Sequence, residues 1–270
     1  MTTFFHTDNG RMVPTTKARG PWDVNALHGG PPSALLLHHM RAAVQTATQD
    51  APHAYAVARL STEFLRPVPL APLHVDVELG RVGRVAVRAS AQLFDVDSGK
   101  AVMSASAVFL RQDASVAPST ARPDGHVEPT LPPPSAEHVF DFSFFPWEDG
   151  YHRAVEVHLL DPPWGSTPAR FWAQPTVRLV DDVAMTPEEA TVLLADAESG
   201  MGPPLDPRAF NFANPDLTVF FARRPRGLRI GLDVFSVAGD AGVGLSEARL
   251  FDDVGMFGRS AQSLVVTPRR

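Results

Sequence analysis

This chain of 270 residues carries one unit twice, and no other feature limits its fold as strongly. Ser90-Ala91-Gln92-Leu93-Phe94-Asp95 is matched in the second half by Glu247-Ala248-Arg249-Leu250-Phe251-Asp252. Phe64-Leu65-Arg66-Pro67 is matched by Phe221-Ala222-Arg223-Arg224-Pro225, and Ser104-Ala105-Ser106 by Ser260-Ala261-Gln262 when one turn residue is dropped. Self-similarity of this kind marks a repeated supersecondary unit. In the first copy, helical spacing from about Pro32 to Thr48 is followed by strand-like runs at 55–65, 73–79, 82–94 and 101–111. Turns at Gly80, Gly83 and Asp97-Ser98-Gly99 suit hairpins. The second copy repeats the order, with a helix from Thr186 and runs at 216–222, 228–237, 242–251 and 257–266. A helix followed by a meander of long strands implies an α+β chain, in which each antiparallel sheet curls around its own helix.

The first helix is entered through Asn25-Ala26-Leu27-His28-Gly29-Gly30-Pro31-Pro32-Ser33. Proline is tolerated in a first helical turn because its missing N–H would have had no partner. Leu36, Met40, Ala43, Val44 and Ala47 form the apolar stripe, and Leu35 and Leu37 widen it beyond what a surface helix needs. The N-terminus of such a helix carries roughly half a positive charge and can hold a carbonyl or an oxyanion; the plainer alternative is a loop leading into a core helix. The second helix has Thr186 as N-cap, Pro187 at the first position and Glu189 completing a capping box. Its stripe is Ala190, Leu193, Leu194 and Ala197, and Gly200 to Pro204 ends it. Residues 114–138 are Pro-rich and without periodicity, so they read as a connector between units 1–113 and 139–270. A first strand and turn (Phe4, Phe5, Asn9-Gly10), a strand at 152–160, and an aromatic cluster (Phe140, Phe142, Phe144, Phe145, Trp147) docked on a sheet complete the expectation.

Several function classes are excluded. A net charge of −6 argues against nucleic acid as the main partner and gives no polybasic membrane patch. The absence of Cys removes disulfides, thiolate metal sites and a cysteine nucleophile. There is no Gly-x-Ser-x-Gly elbow, no His-Glu-x-x-His and no phosphate-binding glycine loop. No apolar run approaches the ~18 residues needed to span a bilayer, and the N-terminus lacks a signal-peptide pattern, so a cytoplasmic protein is expected.

Leu27-His28-Gly29-Gly30-Pro31-Pro32-Ser33-Ala34-Leu35 and Ser61-Thr62-Glu63-Phe64-Leu65-Arg66-Pro67-Val68 in the first half, with Asn214-Pro215-Asp216-Leu217-Thr218-Val219 and Gly258-Arg259-Ser260-Ala261-Gln262-Ser263 in the second, resemble the acyl-CoA thioesterase II-like family over nearly the full length. The resemblance implies a double hotdog, two tandem units forming one pseudo-dimeric sheet, further association into homo-oligomers, and hydrolysis of an acyl-CoA to free acid and CoA without metal or cofactor. In such enzymes an Asp at the start of the strand after the second helix, a Thr or Ser hydroxyl and a Gln hold the attacking water. Here the Asp falls on Asp216 and the Gln on Gln262, and the hydroxyl on Ser236 unless the register puts Val237 there.

The chemistry fits those residue types. A carboxylate can take the proton of a water, for about 10²–10⁴-fold, and a donor at the developing oxyanion adds about 10²–10³. Gln262 both donates and accepts, and His28 with Gly29 and Gly30 would polarise the thioester carbonyl. Arg223-Arg224-Pro225-Arg226 either binds CoA phosphates or is a solvated turn. Two rivals stand: a non-hydrolytic acyl-CoA or lipid-binding protein, and a dehydratase or hydratase, whose chemistry wants a His paired with Asp or Glu that the sequence does not visibly give His28.

Overall fold

The computed structural model describes residues 2–49, 54–113, 115–116, 129–134, 138–142, 145–161 and 163–269. The first half contains β1 (Thr3–Asp8), β2 (Arg11–Pro14), α1 (Gly30–Thr48), β3 (Tyr55–Phe64), β4 (Leu73–Leu79), β5 (Ala86–Asp95) and β6 (Ala101–Arg111). The second contains β7 (Val155–Leu159), β8 (Ala169–Pro175), β9 (Arg178–Val180), α2 (Pro187–Ala195), the single turn α3 (Glu198–Met201), β10 (Phe210–Ala213), β11 (Asp216–Phe221), β12 (Ile230–Ala238), β13 (Val243–Asp252) and β14 (Gly255–Pro268). Equivalent elements begin at Gly30 and Pro187, Leu73 and Ile230, Ala86 and Val243, each pair the same number of positions apart.

The strands form one 14-stranded sheet in the order β7-β8-β12-β13-β14-β11-β3-β6-β5-β4-β2-β1-β9, with β10 paired to the far end of β14. The two halves meet at β11 and β3, antiparallel from Asp216 opposite Glu63 to Phe220 opposite Arg59. From that seam the order runs outward alike on both sides, β3-β6-β5-β4 and β11-β14-β13-β12, which is a pseudo-twofold axis made from sequence duplication. One strand breaks the symmetry. β9 belongs to the second half but pairs in parallel with β1 at the outer edge of the first.

α1 lies inside the curl. Gly30 through Leu37 are all buried, with the sheet on one side and α2 on the other. Each of Leu35, Leu36 and Leu37, fully removed from water, contributes roughly 1.5–3 kcal/mol. The expected capping box forms: Glu189 N–H donates to Thr186 Oγ1, and Thr186 N–H donates to Glu189 Oε2. Glu189 also binds α1, accepting from His38 Nδ1 at 3.0 Å and from Arg41 at 3.0 Å. Burial alone would raise its carboxyl, but the bond from His38, the charge of Arg41 and the Thr186 N–H hold it below the usual carboxylate range. At the other end Gly30 meets Leu193, where a Cβ would come within 2.1 Å of the Leu193 carbonyl oxygen. The helices are thus antiparallel, and the positive end of α1 abuts the negative end of α2.

Most of the strand expectations hold, and β4 and β6 match to the residue. The departures have local causes. The run from Val82 begins only at Ala86, because Gly83 N–H turns back onto the Ala86 carbonyl and leaves Val85 in solvent. β8 was hidden because Phe171, Trp172 and Ala173 are all buried, which erases the alternation a half-buried strand shows. The second helix breaks after Ala195 instead of running on to Gly200. Of the connector, only 115–116, 129–134 and 138 lie among the described residues, and Phe144 lies outside them. Phe140, Phe142 and Phe145 do cluster, against Trp164 and His152 beside β7.

One repeat equivalence needs correction. Ser106 is exposed, whereas Gln262 faces the core. Ser246, which pairs with Gln262, occupies the place in β13 that Ala89, paired with Ala107, occupies in β5. The structural counterpart of Gln262 is therefore Ala107. The turns before β6 and β14 differ by more than the single residue that the sequence match dropped.

Candidate functional site

A site is built where α2 breaks. Asp196 caps the helix, and its buried carboxylate lies against the N-terminus of α1. Oδ1 accepts from Asn214 Nδ2 at 2.8 Å, and Oδ2 is 3.0 Å from His28 Nδ1. A Cβ on Gly29 would fall 2.8 Å from the same Oδ2, so the glycine is what lets the carboxylate approach. Gln262 reaches the adjoining turn, where its Nε2 donates to the Ala195 carbonyl at 3.2 Å. The other amide atom, Oε1, is buried and has no partner. His28 stacks on Tyr151, ring centroids 3.8 Å apart and 6° from parallel. The Tyr151 hydroxyl donates to the Leu193 carbonyl, and burial with the nearby charge of Asp196 pushes its pKa well up, so it remains a neutral donor.

His28 Nδ1 also receives the Gly30 N–H at 3.2 Å. A single nitrogen cannot accept from Gly30 and donate to Asp196 at once. With its proton on Nε2 the neutral ring accepts from Gly30 at Nδ1; with its proton on Nδ1 it donates to Asp196 Oδ2 and Nε2 becomes the acceptor. The first tautomer leaves an N–H donor at Nε2, on the ring edge away from Asp196.

The residues expected to form the site do not all come together. His28, Gly29 and Gly30 do, beside Asp196. The helix N-terminus has fewer free donors than expected, because Pro31 and Pro32 have no N–H and Gly30 N–H is held by His28. Asp216 lies on the outer face of β11, opposite exposed Glu63, and its Oδ1 accepts the Ser263 N–H at 3.0 Å. Side chains alternate along a strand, and Leu217 and Gln262 turn inward where Asp216 and Ser263 turn outward. Asp216 and Gln262 leave the sheet on opposite faces. Ser236 points inward and Val237 outward, but the Ser236 hydroxyl donates to Ser246 Oγ at 2.9 Å, two strands from Gln262. That is about 10 Å at ordinary strand spacing. The Arg223 and Arg224 guanidinium groups are taken by Asp252 and Glu188, which favours a structured turn over a phosphate site.

Sequence reading missed Asp196, Asn214 and Tyr151. The available signal was an acid on the apolar stripe: Glu189, Leu193 and Asp196 share one face of α2 at helical spacing. It also missed Glu198 in α3, which is fully buried and accepts from the Ser260 hydroxyl, with Oε1 unpartnered. Ser236, Ser246, Ser260, Gln262 and Glu198 make a buried polar strip under α2 and α3. In the first half Ala89 and Ala107 replace Ser246 and Gln262, and His39 stands where Asp196 does, counted from the helix starts. Burial, with His38 and His74 nearby, lowers the His39 pKa to about 4, so it is a neutral ring near pH 7. Only one of the two pseudo-equivalent positions carries the carboxylate and amide.

Burial, reinforced by the charge of Asp196, raises the Glu198 carboxyl well above its usual range, while the Ser260 bond opposes the rise only in part. A folded state that holds this proton more tightly than the unfolded chain loses stability as pH climbs through the ordinary carboxylate range. Glu198→Gln is therefore expected to unfold at the same temperature as the parent near pH 4 and at a higher one near pH 7. Parallel melting curves across that range would remove the buried neutral acid.

The family model described as the acyl-CoA thioesterase N-terminal domain matches residues 18–110, and that of the C-terminal domain matches residues 123–266. No curated protein matches at the sequence level. Among solved structures, the chain is similar to the tesB protein of Mycobacterium avium subs paratuberculosis (TM-score 0.63, 19% identity, covering 96% of this chain and 93% of that one). It is similar also to the acyl-CoA thioesterase II TesB2 of Mycobacterium marinum (TM-score 0.62, 18% identity, 93% and 94% covered). A conserved protein of unknown function with hot dog fold from Alicyclobacillus acidocaldarius gives a TM-score of 0.66 at 17% identity, with 98% and 95% covered. At such identities the structures establish the tandem hotdog architecture, and the two domain matches establish the rest: this chain belongs to the acyl-CoA thioesterase family and is a thioester hydrolase.

Proposed function

We propose that the protein hydrolyses acyl-CoA to free acid and CoA with a water held between Asp196 and Gln262. The observation that carries this is the meeting of His28, Asp196, Asn214 and Gln262 at the break in α2. Asp196 takes the proton as the water oxygen attacks the thioester carbon, and the departing thiolate takes that proton back. Asn214 fixes one carboxylate oxygen and so leaves the other for the water. Gln262 Oε1 accepts the water's second hydrogen, the one role open to a buried acceptor without a partner. His28 Nε2–H and the Gly29 N–H donate to the carbonyl oxygen as it becomes anionic. Asp216, to which the resemblance assigns the water, lies across the sheet from Gln262, and this favours Asp196 for that role.

Release of CoA thiol from a panel of acyl-CoAs of graded length tests the proposal. Gln262→Ala is expected to lower kcat by about 10²-fold with a smaller change in KM. A parent protein that binds these thioesters and releases no thiol would make it a binding protein instead. The ion pair also reopens the dehydratase alternative: His28 does have a carboxylate, 3.0 Å away, contrary to the expectation from sequence. Membership of the thioesterase family favours hydrolysis, and interconversion of 3-hydroxyacyl-CoA and enoyl-CoA without thiol release would favour the other chemistry. Homo-oligomers fit the same function, since Phe235, Val237 and Leu245 expose an apolar patch on the outer sheet face; light scattering reads the particle mass.

A further inference from the structure

The segment where α2 breaks is tied to β14 at two points. Gln262 Nε2 donates to the Ala195 carbonyl at 3.2 Å, and three residues further along Glu198 Oε2 accepts from the Ser260 hydroxyl. Ser260 and Gln262 flank Ala261 and project from the same face of the strand, about 6.5 Å apart at ordinary strand rise. The two hydrogen bonds therefore close a small ring through residues 195–198 and 260–262. Glu198, Ser260 and Gln262 are 0%, 2% and 1% exposed, so the ring is out of water.

Two atoms of this ring are open, Glu198 Oε1 and Gln262 Oε1. Among the described residues no cation pairs with Glu198, and the charges that act on it, Asp196 and Glu247, are of its own sign. A fully buried carboxyl in such company is held as the neutral acid. With Oε2 accepting from Ser260, the proton belongs on Oε1. The open pair is then one donor and one acceptor, which do not bond each other directly. A single water spans roughly 5.5 Å between two oxygens, and ordered buried water is found where polar groups are otherwise unmatched. The fold itself does not require this set. In the first half Ala105 and Ala107 stand in β6 where Ser260 and Gln262 stand in β14, and Arg41 stands where Glu198 does, counted from the helix starts. The ring accompanies the one half that carries Asp196. We propose that Glu198 is a positioning residue for hydrolysis: its Oε1–H donates to a buried water, which donates to Gln262 Oε1 and so fixes the amide that orients the attacking water. An amide oxygen has two lone pairs, and this bond leaves one for the attacking water.

The inference rests on the hydrolytic reading and deepens it. Glu198→Leu is expected to lower kcat for thiol release by about 5–10-fold with KM unchanged, the usual worth of one hydrogen bond. Glu198→Gln, whose amide can accept from Ser260 and donate to the water, should recover most of that loss. In a Gln262→Ala background Glu198→Leu should cost nothing further, because the amide it acts through is gone, whereas a merely structural loss would add. Additive losses in that cycle, or a Glu198→Gln variant as slow as Glu198→Leu, overturn the proposal. If Glu198→Leu fails to fold, a crystal structure of the full chain decides. Ordered water within hydrogen-bond distance of both Glu198 Oε1 and Gln262 Oε1 is expected there, and its absence overturns the bridge. The same crystal structure decides if the parent releases no thiol, an outcome that overturns the hydrolytic function and not the bridge.

Discussion

Asp196→Asn is expected to lower kcat for thiol release by about 10²–10⁴-fold, the usual contribution of a positioned general base. The amide keeps the size of the carboxylate but cannot take a proton, and its Oδ1 can still receive Asn214 Nδ2, so the fold should survive. Asp216→Asn is the matched comparison. Its oxygen keeps the Ser263 N–H, and its outward side chain lies away from Gln262, so a change within a few fold is expected. Steady-state kinetics on both variants, with circular dichroism as the control, separate the two acids. A collapse of kcat in Asp216→Asn with Asp196→Asn near parental would return the water to Asp216.

The second large effect is structural. Gly30→Ala would gain up to ~1 kcal/mol of helix propensity in isolation. The new Cβ would lie 2.1 Å from the Leu193 carbonyl oxygen, an atom of helix backbone that cannot swing aside. Overpacking of this kind costs about 1–3 kcal/mol and more where backbone must move, so the clash outweighs the propensity. A fall in Tm of roughly 4–10 °C is expected, read by calorimetry. Gly29→Ala should behave differently. There the added Cβ meets the end of the Phe64 ring at 2.6 Å and Asp196 Oδ2 at 2.8 Å, both of which can shift. Its expected signature is a loss of activity larger than its loss of stability, because the displaced group is the carboxylate itself. If Gly30→Ala melts at or above the parent temperature, α1 and α2 are not held together at that crossing.

The duplication made the fold legible. The matched strands Ser90–Asp95 and Glu247–Asp252 lie in register as β5 and β13, and the Thr186–Glu189 capping box forms as its residues prescribe. Both depend on neighbours in sequence, which is what periodicity and capping rules describe. The site was legible only on one side. His28, Gly29 and Gly30 sit on a turn with a visible purpose, whereas Asp196 looks like a polar interruption of an apolar stripe until α1 is packed on it. Strand facing was the other loss. Asp216 and Gln262 are brought within a strand of each other by pairing, but whether two side chains share a face turns on single-residue register, and the bulged β6 and the longer turn before it shift the match between the halves.

The placement of β9 has a consequence for how the chain is made. During synthesis the first half leaves the ribosome before residues 178–195 exist, so β1 waits with an unpaired edge and α1 without the helix that covers its other side. An open strand edge and a bare apolar helix face are what chaperones and neighbouring nascent chains bind. β9 and α2 arrive adjacent in sequence and close both exposures together, and β11 then covers the edge of β3 that is still open. The vulnerable species of this protein is therefore its own N-terminal half on a translating ribosome, and slowing elongation between residues 113 and 221 should raise its aggregation more than slowing it after 221.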